Sequence, residues 1–134
     1  MQNPTELHWQ ATKRLLRYLK QTVQYGLQFH KSNTNAIHAF SDVDWARSRD
    51  DCRSTEGYCI FLGANLISWS GRKQQIVARS STEAEYKALS NTAAKLSWIL
   101  SLCAKLGLHL STAPTLWCDN IGPTYLSSNP VYHA

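Results

Sequence analysis

The sequence predicts an α/β domain, a sheet with helices packed against it. Three observations carry this. Strand-like patterns cluster between residues 36 and 70, one long helical pattern fills residues 80–106, and a short apolar run at 114–119 follows it. A helix lying between strands supplies the crossover that parallel strands need.

The elements follow in order. "NPTELHWQATKRLLRYLKQ" opens with helix-start signals: Asn3 as cap, Pro4 at the first helical position and Glu6 where a capping box wants it. Ala11, Leu15, Tyr18 and Leu19 then make one stripe, with Lys13, Arg14, Arg17 and Lys20 largely off it. Gly26 ends this unit, and "LQFH" reads as a short strand. "KSNTN" is a polar turn cluster that marks a boundary near residue 31. "AIHAFSDVDW" reads as a strand and "RSRDDCRSTEG" as a loop. "YCIFLG" and "LISWSG" are two strands split by a hairpin-type turn at Gly63-Ala64-Asn65. The helix from Ser80 stops at Gly107, which suits a left-handed C-cap. "PTLWCD" reads as a buried strand, and "IGPTYLSSNP" as the start of another helix.

Composition narrows the function classes. At 134 residues the chain makes one modest core, and 43% apolar residues suit a globular domain. No apolar run reaches the ~18 residues of a membrane span, and the N-terminus lacks a signal-peptide layout. A soluble, intracellular protein, cytoplasmic or nuclear, is expected. Cys52, Cys59, Cys103 and Cys118 have no C-x-x-C spacing and are expected as reduced thiols. The net charge of +5 favours a polyanionic partner. Arg47, Arg49, Arg53, Arg72, Lys73 and Arg79 crowd one third of the chain, near Asp42, Asp44, Asp50 and Asp51. Cations around a carboxylate cluster suit a site that holds a phosphate backbone near metal ions. Trp45, Trp69, Trp98 and Trp117 are expected in the core rather than as base-stacking platforms.

"SSTEAEYKAL" carries Glu83 and Glu85, two residues apart and therefore on different helix faces. At ~100° per residue, Glu85 aligns with Ala88, Leu89, Thr92, Leu96, Ile99 and Cys103 on the apolar stripe. Glu83 lies off it, four residues before Lys87 and in capping-box position to Ser80, so it is explained structurally. A carboxylate on a core-facing stripe must be hydrogen-bonded, protonated or cation-bound. Glu85 is thus either a capping partner of Thr82 or part of a site. Asp42 lies near the end of one predicted strand and Asp119 ends another. If those strands are parallel neighbours, the two stand side by side with Glu85 above. Three carboxylates form an all-oxygen set suited to Mg²⁺ or Mn²⁺ rather than zinc. Asp44 shares Asp42's face, and spacing leaves both open; the lesser alternative for Asp119 is a helix N-cap.

"SDVDWARSRDDCRSTEGYCIFLGANLISWS", "ARSSTEAEYKAL" and "LWCDN" together resemble the ribonuclease H domain of copia-type LTR retrotransposons. "HWQATKRLLRYLKQTVQYGLQF" resembles the segment joining the reverse transcriptase to it. The resemblance implies residues 1–31 as connection segment and 32–134 as a ribonuclease H-like domain. It implies Asp42, rather than Asp44, with Glu85 and Asp119 as catalytic metal ligands. The implied fold is a mixed sheet of three antiparallel strands followed by parallel ones. The implied reaction is hydrolysis of the RNA strand of an RNA–DNA hybrid with two Mg²⁺ or Mn²⁺ ions. Arg47, Arg53, Arg72, Lys73 and Arg79 are then expected against substrate phosphates, and 2′-hydroxyl contacts select RNA. The reverse transcriptase portion of the same polyprotein is the other expected partner, with Trp9 as a candidate contact.

Several positions depart from the pattern. Arg47 stands at a usual glycine, Cys52 at a usual arginine, Lys95 at a usual acidic residue and Pro123 at a usual small one. The family's fourth carboxylate, last strand and last helix fall past Ala134, so the domain is expected to be incomplete at its C-terminus. Two readings follow: a hybrid-cleaving endonuclease by descent, or a catalytically inactive remnant or hybrid-binding module.

Overall fold

Residues 3–46, 50–110 and 112–119 are described by the computed structural model. They form α1 (Glu6–Thr22), β1 (Ile37–Asp44), β2 (Thr55–Leu62), β3 (Asn65–Lys73), α2 (Ser81–Lys105) and β4 (Thr115–Cys118). Strand order is β3-β2-β1-β4, with β1 antiparallel to β2, β2 antiparallel to β3, and β4 parallel to β1. The mixed sheet expected from the sequence is therefore present.

Period-two alternation sets β1: Ile37, Ala39 and Ser41 are buried, while Phe40 and Asp42 are exposed on the opposite face. β2 turns into β3 through Gly63-Ala64. Gly63 has φ +57°, and a Cβ there would collide with the Ser32 side chain and the Thr34 carbonyl. Its N–H also donates to the Ala36 carbonyl at 2.8 Å, tying the hairpin to the entry of β1. A register shift between Ile60 and Phe61 leaves Ile67 as the extra residue on β3.

α2 starts where Ser80 Oγ accepts the Glu83 N–H and ends at Gly107, φ +71°. The N–H of Leu108 donates to Cys103 and that of Gly107 to Ala104, a Schellman ending. Its buried residues Ala84, Ala88, Thr92, Leu96, Ile99 and Cys103 form the predicted stripe. Leu96, Ile99 and Cys103 pack on Ile37, Ala39 and Ile60, with Tyr58, Leu62, Ile67, Leu100, Leu110 and Leu116 around them.

Some expectations are corrected. The cap of α1 is Thr5, not Asn3: the His8 N–H donates to Thr5 Oγ1 and the Thr5 N–H to His8 Nδ1, which leaves Glu6 as the first helical residue. "LQFH" makes no strand, because the His30 backbone pairs with a side chain: its N–H donates to Asn65 Oδ1 at 2.7 Å and its carbonyl accepts from Asn65 Nδ2 at 2.8 Å. β4 is only half-buried, since Trp117 lies on the face away from α2. Trp45, Trp69, Trp98 and Trp117 are each about half exposed rather than core. The helix expected after β4, with Pro123, lies outside the described residues. Cys52, Cys59, Cys103 and Cys118 are present as thiols. No described helix is long and apolar enough to cross a membrane.

Candidate metal centre

Strand register brings the first two carboxylates together. The parallel ladder ends with Ser41 opposite Cys118, so the next residues, Asp42 and Asp119, stand on neighbouring strand ends. That is the carboxyl end of a parallel pair, where sheets of this kind bind ligands. Asp42 is steadied by its own backbone: Oδ1 accepts the Val43 N–H at 2.8 Å.

Helix packing supplies the third. Thr92, buried on α2, has its hydroxyl 2.8 Å from the Ala88 carbonyl and 3.2 Å from the hydroxyl of Ser41, the residue before Asp42. This buried bridge holds α2 over β1 at the site. Glu85, between buried Ala84 and Ala88, then faces the strand ends. Ser41, Asp42, Val43, Glu85, Ala88, Cys118 and Asp119 line one hollow of about 10 Å³. That is room for about one water-sized body. Glu85 Oε2 is buried and has no hydrogen-bond partner among the described residues. A carboxylate oxygen left so costs free energy unless a cation or proton meets it. The oxygen-only donors, the hollow's size and the orphaned Glu85 oxygen fit a hard divalent cation. As they stand, no three acidic, thiol or imidazole groups among the described residues are close enough to ligate one ion together. Ligation therefore requires side-chain closure. On the face away from α2, a broader hollow of about 550 Å³ also reaches Asp42 and Asp119, between Phe40 and Trp117. Asp44 lines neither hollow.

Glu83 is structural, with one refinement. Its Oε1 accepts from Lys87 Nζ at 2.9 Å, and its Oε2 accepts the Arg79 N–H at 2.8 Å instead of closing a capping box with Ser80. The Lys87 hydrogen bond, then that from the Arg79 backbone, hold its carboxyl below the ordinary 4.5.

The predicted phosphate-binding cations are largely engaged within the chain. Arg53 and Lys73 both approach Asp51, at 3.6 and 3.5 Å, and Arg72 Nε lies 3.1 Å from Glu56. Arg79 enters through its backbone at the start of α2. Arg47 lies outside the described residues. The sequence reading missed Glu56, which is 7% exposed and bound by Arg72, Gln74 and Asn91. The sequence reading placed Glu56 in the loop "RSRDDCRSTEG", whereas β2 already begins at Thr55 and sets Glu56 directly across the ladder from Arg72.

Comparison with known proteins adds the lineage. No family model matches the chain. Over all 134 residues it is 52% identical to the retrovirus-related Pol polyproteins from transposons RE2 and RE1 of Arabidopsis thaliana. It spans 9% of the length of each. Among solved structures, the RNase H1 of the archaeon Halobacterium salinarum NRC-1 aligns over 64% of this chain and 55% of that one, at 22% identity and a TM-score of 0.40. With 52% identity along its full length, the chain is homologous to part of the copia-type retrovirus-related Pol polyproteins, and it folds as a mixed α/β sheet with flanking helices.

Proposed function

We propose that this domain hydrolyses the RNA strand of RNA–DNA hybrids, with Asp42, Glu85 and Asp119 holding Mg²⁺ or Mn²⁺. The observation that carries this reading is the shared hollow: two aspartates from adjacent parallel strand ends, and a helix glutamate whose buried oxygen lacks a partner. Such an ion, when bound, would make water a better nucleophile and stabilise charge on the leaving oxygen. The chain's own part is positioning. Asp42 is held by the Val43 N–H, and Glu85 is carried on a helix locked to β1 through Thr92 and Ser41. The family resemblance implies two ions, whereas the hollow has room for one body, so a first ion is the step to test. Arg72, Lys73, Arg53, Arg79 and Arg47 are proposed to meet phosphates, the first three by exchanging their present carboxylate partners. Residues 1–31 are proposed as the segment leading from the reverse transcriptase portion, with 32–134 as the nuclease-like unit.

The test is cleavage of an end-labelled RNA strand hybridised to DNA, in Mg²⁺ and then Mn²⁺. Asp42→Asn is expected to lower the rate by at least ~100-fold, since it removes an anionic ligand at the reacting centre. No metal-dependent cleavage by folded wild-type protein would sink the proposal. A second reading, hybrid binding without cleavage, is favoured by the incomplete convergence of the three carboxylates. It expects hybrid retention in a gel-shift assay that Asp42→Asn leaves unchanged.

A further inference from the structure

Beside the candidate centre lies a buried polar network that none of the roles above uses. Gln74, just after β3, is 5% exposed, and its N–H donates to the Ser54 carbonyl at 2.8 Å. Its Nε2 sits between two acceptors: Glu56 Oε2 at 3.2 Å and the Ala84 carbonyl at 2.9 Å. Reversing the amide would turn oxygen onto both, so the orientation is fixed by its surroundings. Glu56 is gripped in turn by Arg72 Nε at 3.1 Å and by Asn91 Nδ2, 3.0 Å from each carboxylate oxygen.

The bond to Ala84 matters because of where that carbonyl is. The Ala84 carbonyl carbon is bonded to the nitrogen of Glu85, so Gln74 holds the peptide unit that carries Glu85. Glu56 links that grip to β2, β3 and, through Asn91, to α2 two turns further on. We propose that Gln74, oriented by Glu56, is a positioning residue for Glu85, setting where its orphaned carboxylate oxygen stands at the metal site. This rests on the metal reading above. Groups that orient a ligand without touching the metal typically alter affinity 10- to 100-fold when removed. Ligand carboxylates tolerate only about 0.5 Å of misplacement. A glutamine is the side chain required here. Leucine would take this donor away from Glu56 Oε2 and the Ala84 carbonyl, and glutamate would set a second carboxylate against them.

The test uses the full chain and measures Mn²⁺ binding by the electron paramagnetic resonance signal of free Mn²⁺, with thermal unfolding as the folding control. Gln74→Leu is expected to weaken Mn²⁺ about 10-fold. Glu85→Gln weakens it too, and the double variant binds no more weakly than Glu85→Gln alone, because the grip acts only through Glu85. Glu56→Gln keeps the volume, removes the charge and is expected to weaken Mn²⁺ several-fold; it serves where Gln74→Leu does not fold. Unchanged Mn²⁺ affinity in folded variants, or additive losses in the double variant, overturns the positioning role while leaving the metal site standing. If the wild type binds no Mn²⁺, the metal reading itself fails. Positioning is then judged in metal-free protein from the Glu85 carboxyl ¹³C resonance in Glu56→Gln, a change that does not touch Glu85. A displaced resonance sustains the grip, and an unmoved one overturns it.

Discussion

The two helices among the described residues are both amphipathic, yet they have opposite surroundings. α2 buries six residues of its stripe against the sheet, whereas α1 buries none: Leu15, Tyr18 and Leu19 are each more than half exposed. Their ends are equally well made. Each has an N-cap hydroxyl accepting a backbone N–H of the first turn, and each has a basic residue in its last turn. Caps and propensity therefore explain why both segments are helical, but not why only one is part of a core. A stripe says that a face suits burial; the partner must come from elsewhere in the fold. For α2 the partner is the face of β1 and β2 that carries Ile37, Ala39 and Ile60. For α1, no described residue takes that place, which accords with its proposed role as a link towards the polymerase portion.

That contrast can be broken most sharply by truncation at equivalent stripe positions. Leu96→Ala on α2 is expected to cost about 2–4 kcal/mol in urea unfolding, since a buried leucine leaves a cavity. Leu15→Ala on α1 is expected to stay within about 0.5 kcal/mol, as for an exposed site. Equal losses would mean that α1 packs on the body in solution. Next come the caps. Ser80→Ala is expected to lower global stability by about 1 kcal/mol. Thr5→Ala should reduce helical circular dichroism while leaving the unfolding midpoint of the body where it was.

The smallest expected effect is a pH dependence confined to α2. Lys87 and the Arg79 N–H depress the Glu83 pKa in the folded chain. The carboxylate's contribution is thus present above the ordinary 4.5 and is lost as pH falls through the lower folded value. Glu83→Gln should lower stability slightly near neutrality, flatten the curve just below pH 4.5 and coincide with wild type at lower pH. A curve identical to wild type across that window would remove Glu83 from the account of how α2 begins.

Local pattern made much of the fold legible. The long helix and its stripe, its stop at Gly107, the hairpin at Gly63-Ala64, the strand that carries Asp42 and the one that leads into Asp119 follow from period, caps and turn chemistry. Errors arose where a side chain replaced backbone. Asn65 satisfies the His30 backbone and prevents a strand there, and His8 caps α1 where a glutamate was expected. The tryptophans misled because hydrophobicity implies burial only when a partner surface exists. Trp69 and Trp117 lie on the face of the sheet away from α2.

The sequence by itself determined which residues could serve the site: an oxygen-only trio at two strand ends and on one helix stripe, among basic residues. Each of those features is local, set by one residue's place in its own element. Tertiary structure alone decided that β4 lies parallel to β1 with Ser41 opposite Cys118, which makes Asp42 and Asp119 neighbours. It also decided that Arg72 faces Glu56 and Lys73 faces Asp51, and that Gln74 reaches the peptide carrying Glu85. These are contacts between residues far apart in the chain. Their geometry comes from strand register and helix packing, which no window of sequence contains.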